Sequence, residues 1–176
     1  MNRIYKLFLA FNSTYLIIVV YLINKNYKFV FLESQPNLVS HILFVSIPII
    51  LTLVSFILLK MLDIDNITKQ NIKKIELANN TFLPTYLGYF FVSLSISNTN
   101  TLIFIFLIIY VFTFLSQSLY FNPIFLLFRY NFYFVTNSDN VKIFLITKKQ
   151  IKHPKEFDFK HLKRINDYTF IDTEKN

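Results

Sequence analysis

The chain contains no cysteine, which excludes disulfides, thiol catalysis and thiolate metal sites. Four apolar stretches, residues 5–23, 39–59, 82–97 and 101–121, hold no Asp or Glu. Ionisable groups at bilayer depth mark transporters, proton relays and voltage sensors, so their scarcity argues against all of these. Lys6 and Lys60 stand at stretch ends, where they can snorkel to the headgroups. His41 has no second His or carboxylate beside it and reads as an interfacial side chain bonded to a neighbour. There is no H-E-x-x-H, no G-x-S-x-G, no glycine-rich phosphate loop and no His paired with carboxylate at ligand spacing. His153 and His161 stand among Lys and Asp158 and read as solvated. The expectation is a protein that is not an enzyme and holds no cofactor or metal. No internal repeat of the inverted-transporter kind is present either.

What is abundant points to lipid. Hydrophobic residues make up 54% and charged residues 16%, with 22 Phe and 11 Tyr. A hydrocarbon core of roughly 30 Å takes about 20 apolar residues per helix. The expected fold class is therefore an all-α polytopic membrane protein: a domain over residues 1–121 with four transmembrane helices, then a small cytoplasmic tail over 122–176 containing a β-hairpin. The third stretch is short and would borrow Thr81 and Asn98 at the interfaces. Polar Asn12, Ser13 and Thr14 interrupt the first stretch and no A-x-A-like site follows it, so it is expected to be a retained helix and not a cleaved signal peptide.

Basic residues orient the chain. With both termini inside, only Lys25 and Lys28 of the 18 Lys and Arg fall outside. This predicts a multi-pass arrangement with both ends cytoplasmic. The net charge of +8 is explained by that bias and by anionic lipid, and no motif of a nucleic-acid-binding fold is found, so direct nucleic-acid binding is not expected.

Within the stretches, mild polarity recurs at helical spacing. His41, Pro48, Thr52 and Ser55 share one face; so do Tyr86, Tyr89, Ser93 and Ser97, and Tyr110, Thr113 and Gln117. Such faces pack helices together, in one bundle or between copies, or line a water path. The candidates are Asn12, Thr52, Ser55, Thr113 and Gln117, with Pro48 expected to kink its helix or free a carbonyl. In the connector 60–80, Ile64, Ile67, Ile72, Ile75 and Ala78 fall on one helical face, which predicts an amphipathic helix on the cytoplasmic leaflet or an extension of the second span. The external loop between the first two spans carries Tyr27, Phe29 and Phe31, as an interfacial anchor or a sensing element.

After Asn122-Pro123 the period changes to alternation around the turn-forming Asn137-Ser138-Asp139-Asn140, predicting a hairpin over 130–147. A tail this short cannot bury both faces of a hairpin by itself, so it is expected to dock on another surface. Tyr130, Phe132, Tyr133, Phe134, Phe144 and Ile146 are the docking candidates.

The layout, with Asn122-Pro123-Ile124-Phe125-Leu126-Leu127-Phe128-Arg129-Tyr130-Asn131-Phe132-Tyr133-Phe134-Val135 and the strand Val141-Lys142-Ile143-Phe144-Leu145-Ile146-Thr147-Lys148-Lys149, resembles the KwaA family, the membrane subunit of the Kiwa anti-phage defence system. In that family pattern a glycine often precedes the tyrosine matched by Tyr130, and Arg129 departs from it. The resemblance implies an inner-membrane homo-oligomer, a tetramer, that senses infection and works with a cytoplasmic DNA-binding partner, KwaB. It carries over no catalytic residue. The expected function is a non-enzymatic sensor and scaffold, with a pore-forming effector or small channel as the alternative.

Overall fold

The computed structural model describes residues 3–62, 64, 72–116, 122–154, 159 and 162–173. The chain divides into two compact units, one helical (residues 7–56 and 82–122) and one built on a sheet (residues 1–6, 57–81 and 123–176).

In the helical unit, α1 (Arg3–Thr14) and α2 (Leu16–Asn24) are separated by a turn at Tyr15. The Ser13 and Thr14 hydroxyls donate back to the Ala10 carbonyl at 2.9 and 3.0 Å, the hydroxyl back-bonding that bends a helix. Then come α3 (Asn37–Leu58), which runs unbroken through Pro48, α4 (Leu83–Ser95) and α5 (Thr99–Leu115). Ile17 and Tyr21 of α2 pack with Ile96 and Leu102, and Tyr89, Ile105 and Ile109 close over them. Tyr86 of α4 donates its hydroxyl to the Ser13 carbonyl (2.9 Å) and Ser93 donates to that of Ile17 (2.8 Å). The polar stripe of α4 thus satisfies backbone at the bend between α1 and α2.

Two helical segments, Arg3–Asn24 and Asn37–Met61, are long and apolar enough to cross a bilayer. Among the described residues the other two stretches are not. At 1.5 Å per residue, the 13 residues of α4 reach about 20 Å and the 17 of α5 about 26 Å, against a core of roughly 30 Å. Apolar composition does not set helix length; the ends do. Pro84 sits in the first turn of α4, Ile96 is extended (φ −72°, ψ 123°), and Asn98 caps α5 by accepting from the Thr101 N–H at 2.9 Å. The expectation of an all-α, four-span protein is overturned: among the described residues the architecture is mixed α/β, with a five-stranded sheet and two helices of spanning length.

That sheet has the order β1-β2-β3-β5-β4, from β1 (Ile72–Leu77), β2 (Asn131–Asn137), β3 (Lys142–Thr147), β4 (Leu162–Arg164) and β5 (Thr169–Asp172). All neighbours are antiparallel except β3 and β5. The hairpin expected over 130–147 is present as β2–β3, closed by Asn137 Oδ1 accepting from the Val141 N–H and by Asn140 at φ 59°. Before it, α6 (Ile124–Leu127) ends in paired bonds from the Arg129 N–H to the Leu126 carbonyl and from the Tyr130 N–H to the Phe125 carbonyl. This cap needs a left-handed residue, usually glycine, and here Arg129 fills it at φ 62°.

The connector expected to be helical supplies β1 instead, pairing with β2; Ile67 and Lys69 lie outside the described residues. A bulge between Ile72 and Lys74 explains the misleading spacing. In a regular strand residues three apart face opposite ways, but one inserted residue returns Ile72 and Ile75 to the same side, where both pack on the core. That core joins Tyr133, Val135 and Leu145 to Ile151, Phe159, Leu162 and Phe170. On the opposite face Phe132 stacks on Phe144 at 5.6 Å and meets Phe125 edge-on at 6.3 Å. Cover expected from docking on the helical bundle, a second copy or another protein is supplied in large part within the sheet unit, by β1, β4, β5 and α6.

Candidate functional site

The helical unit holds a buried polar node centred on Thr52. Thr52 Oγ1 accepts from Asn12 Nδ2 of α1 and from Asn122 Nδ2, both at 3.0 Å, and donates to the Pro48 carbonyl at 2.8 Å. One turn on, Ser55 Oγ donates to the Thr52 carbonyl at 2.7 Å. Asn12, Thr52, Ser55 and Asn122 are all buried, Thr52 at 0% exposure. A buried amide or hydroxyl is tolerated only with partners, so one hydroxyl serving two amides fixes the register of three segments at once. Satisfaction is incomplete: Asn12 Oδ1 is buried and accepts from no described group.

Of the polar residues singled out in the sequence, Asn12, Thr52 and Ser55 come together here. Thr113 stands apart, half-buried on α5; Gln117 lies outside the described residues. Asn122 joins the node, although in the sequence Asn122-Pro123 marks only the change of period. Its signal was an amide at the end of an apolar stretch, locked by the following proline. Of the histidines, His41 has a buried Nε2 that bonds to no described group, and His161 lies outside the described residues. No group of three His, Asp or Glu able to hold a metal occurs among the described residues.

In the loop before α3, Tyr27 shares the Thr99 hydroxyl with Tyr21, at 3.2 and 3.3 Å. Phe29 is half-buried against Phe44 (4.7 Å) and Phe31 is 74% exposed. Lys28 Nζ donates to the Glu33 and Gln35 carbonyls and ties the loop closed.

On the sheet, the six docking candidates separate by face and cover. Phe132, Tyr133, Phe144 and Ile146 are buried in the two cores, because neighbouring strands and α6 cover them. Tyr130 and Phe134 keep part of their surface. The Lys142 ammonium lies 4.0 Å over the Phe134 ring. Glu76 on the edge strand β1 is paired with Lys74 at 2.7 Å and Lys142 at 3.8 Å. The hydrogen bond from Lys74 holds its carboxyl below the usual range. Burial and the nearby charge of Asp172 push the Tyr130 hydroxyl up.

A protein-family model described as the anti-phage protein KwaA matches residues 5–171, nearly the whole chain. Comparison with curated proteins and with solved structures finds no match.

Proposed function

Because the chain belongs to the KwaA family of anti-phage proteins, we propose that it is a non-enzymatic sensor and scaffold of bacterial antiviral defence. In this reading it is embedded in the inner membrane through Arg3–Asn24 and Asn37–Met61. The lipid reading is supported by the large side chains exposed along α3, such as Leu38, Ile42, Ile50 and Ile57, an apolar surface that calls for lipid or protein cover. Two crossings leave both ends cytoplasmic and the loop with Tyr27, Phe29 and Phe31 outside, consistent with the placement of Lys25 and Lys28. The family resemblance adds a homo-oligomer, a tetramer, and a soluble KwaB-like DNA-binding partner.

The Asn12–Thr52–Asn122 node carries the mechanism. It joins α1 and α3 to the residue bonded covalently to Pro123, where the chain leaves for the hairpin. A perturbation that slides α1 on α3 must break or re-pair bonds at Thr52, and Asn122 shifts with them. The unpaired Asn12 Oδ1 supplies a reason for a second arrangement of low cost, in which that oxygen gains a donor. No catalytic step is involved. The test is phage challenge of cells carrying the complete defence locus with Thr52→Val. Expected is loss of protection while membrane level and capture of the soluble partner persist. Robust ion flux from the purified chain alone in liposomes overturns the scaffold reading in favour of a pore.

A further inference from the structure

The sheet unit contains a concave cavity of about 760 Å³ lined by Arg129, Tyr130, Asn131, Lys148, Lys149 and Gln150. Three of these are cations, and no carboxylate lines the cavity among the described residues. Asp172, which lies near Tyr130, is buried and turned to the Thr147 hydroxyl at 2.8 Å. Thr147 Oγ1 in turn accepts from the Lys149 N–H at 3.0 Å, which sets the turn that carries Lys148 and Lys149. Their ammonium groups rest over the rings of Tyr130 (5.0 Å) and Phe159 (4.8 Å). Neither Arg129 nor Lys148 makes an ion pair among the described residues.

Arg129 and Lys148 thus bring two cations to one cavity, and an anion held there offsets their mutual repulsion. A second observation points the same way. Arg129 occupies a left-handed backbone position, φ 62°, that glycine fills without strain. Strain of this kind persists at ligand sites, where the side chain is needed. The guanidinium offers a planar fork for tetrahedral oxyanions, the lysines add point charges, and the Asn131 and Gln150 amides add donors.

We propose that this cavity binds a phosphate-bearing anion, supplied by the headgroup of an anionic phospholipid or by a soluble phosphate. The proposal stands apart from the signalling reading, because binding is measured without phage or partner.

The full-length chain in phosphatidylcholine nanodiscs is titrated with inorganic phosphate by calorimetry. In a parallel arm the detergent-solubilised chain is exposed to phosphatidylglycerol and to phosphatidylcholine and followed by native mass spectrometry. Arg129→Gly is the informative variant, because it removes the charge while relieving the backbone. Saturable binding is expected in at least one arm, weakened at least tenfold by Arg129→Gly, further by adding Lys148→Gln, and unchanged by Lys25→Gln. Which arm responds identifies the source. Absence of saturable binding in both arms overturns the proposal, as does binding that Arg129→Gly and Lys148→Gln leave intact in variants with unaltered amide exchange.

Discussion

Replacing Thr52 by Val keeps the shape of the side chain and removes only the hydroxyl. Two buried amide donors, on Asn12 and Asn122, lose the acceptor they share at 3.0 Å, and the bond to the Pro48 carbonyl is lost too. Interhelical hydrogen bonds in membrane proteins average about 0.6 kcal/mol and reach about 1.7 kcal/mol. A buried donor left without a partner costs about 1–3 kcal/mol in a protein interior. Asn12 stands toward the upper end, because its Oδ1 already accepts from no described group. Thr52→Val should therefore destabilise the full chain by about 1.5–3 kcal/mol, roughly a 10- to 100-fold shift in the unfolding constant. Thr52→Ser keeps the oxygen and should cost less than half as much. Reversible unfolding of the full chain in mixed dodecyl-maltoside and dodecyl-sulfate micelles, followed by circular dichroism, measures both. A cycle with Asn12→Ala should reveal a coupling of about 0.5–1.5 kcal/mol. Equal stability of the Val and Ser variants, or strict additivity in the cycle, refutes the node.

The other predictions concern the sheet unit, read by amide exchange on peptides of the full chain. Phe144→Ala removes a ring stacked on Phe132 and should open the sheet by about 3–5 kcal/mol, with protection lost across β2 and β3 together. Arg129→Gly relieves a left-handed arginine worth about 1–2 kcal/mol but frees the unfolded chain by about 0.5–1 kcal/mol, so the tail should be unchanged or slightly more protected. Acidification tests β1: the Glu76 carboxyl is held below its ordinary range in the fold, so its contribution is full above that range and lost as pH falls through the depressed value. Exchange at β1 should then rise in acid before that at β3, and Glu76→Gln should remove the pH dependence.

The sheet unit changes how the C-terminal residues are understood. A lone hairpin after the last apolar stretch needs a foreign surface, whereas a hairpin flanked by β1 and β5 has both long edges paired within one chain. Of the docking candidates, Tyr130 and Phe134 keep exposed surface. Lys73, Lys74 and Glu76 charge the outer strand β1, a device that discourages indiscriminate strand pairing.

Much was legible without coordinates because local chemistry decided it. Alternation around Asn137–Asn140 specifies the β2–β3 hairpin, since turn residues and period depend on neighbours only. The two long apolar segments were likewise readable, as was the kinship to the KwaA family, carried by residues 122–149. Tertiary structure decided the rest, wherever the deciding partner lies far along the chain. Ile72 and Ile75 look helical by spacing and form a strand because β2, about sixty residues on, pairs with them around the bulge in β1. The sequence singles out Asn12 and Thr52 but does not pair them with each other or with Asn122, and 40 and 70 positions separate the pairs that bond. Hydrogen bonding in an apolar interior selects such distant partners by geometry, and no local pattern encodes it.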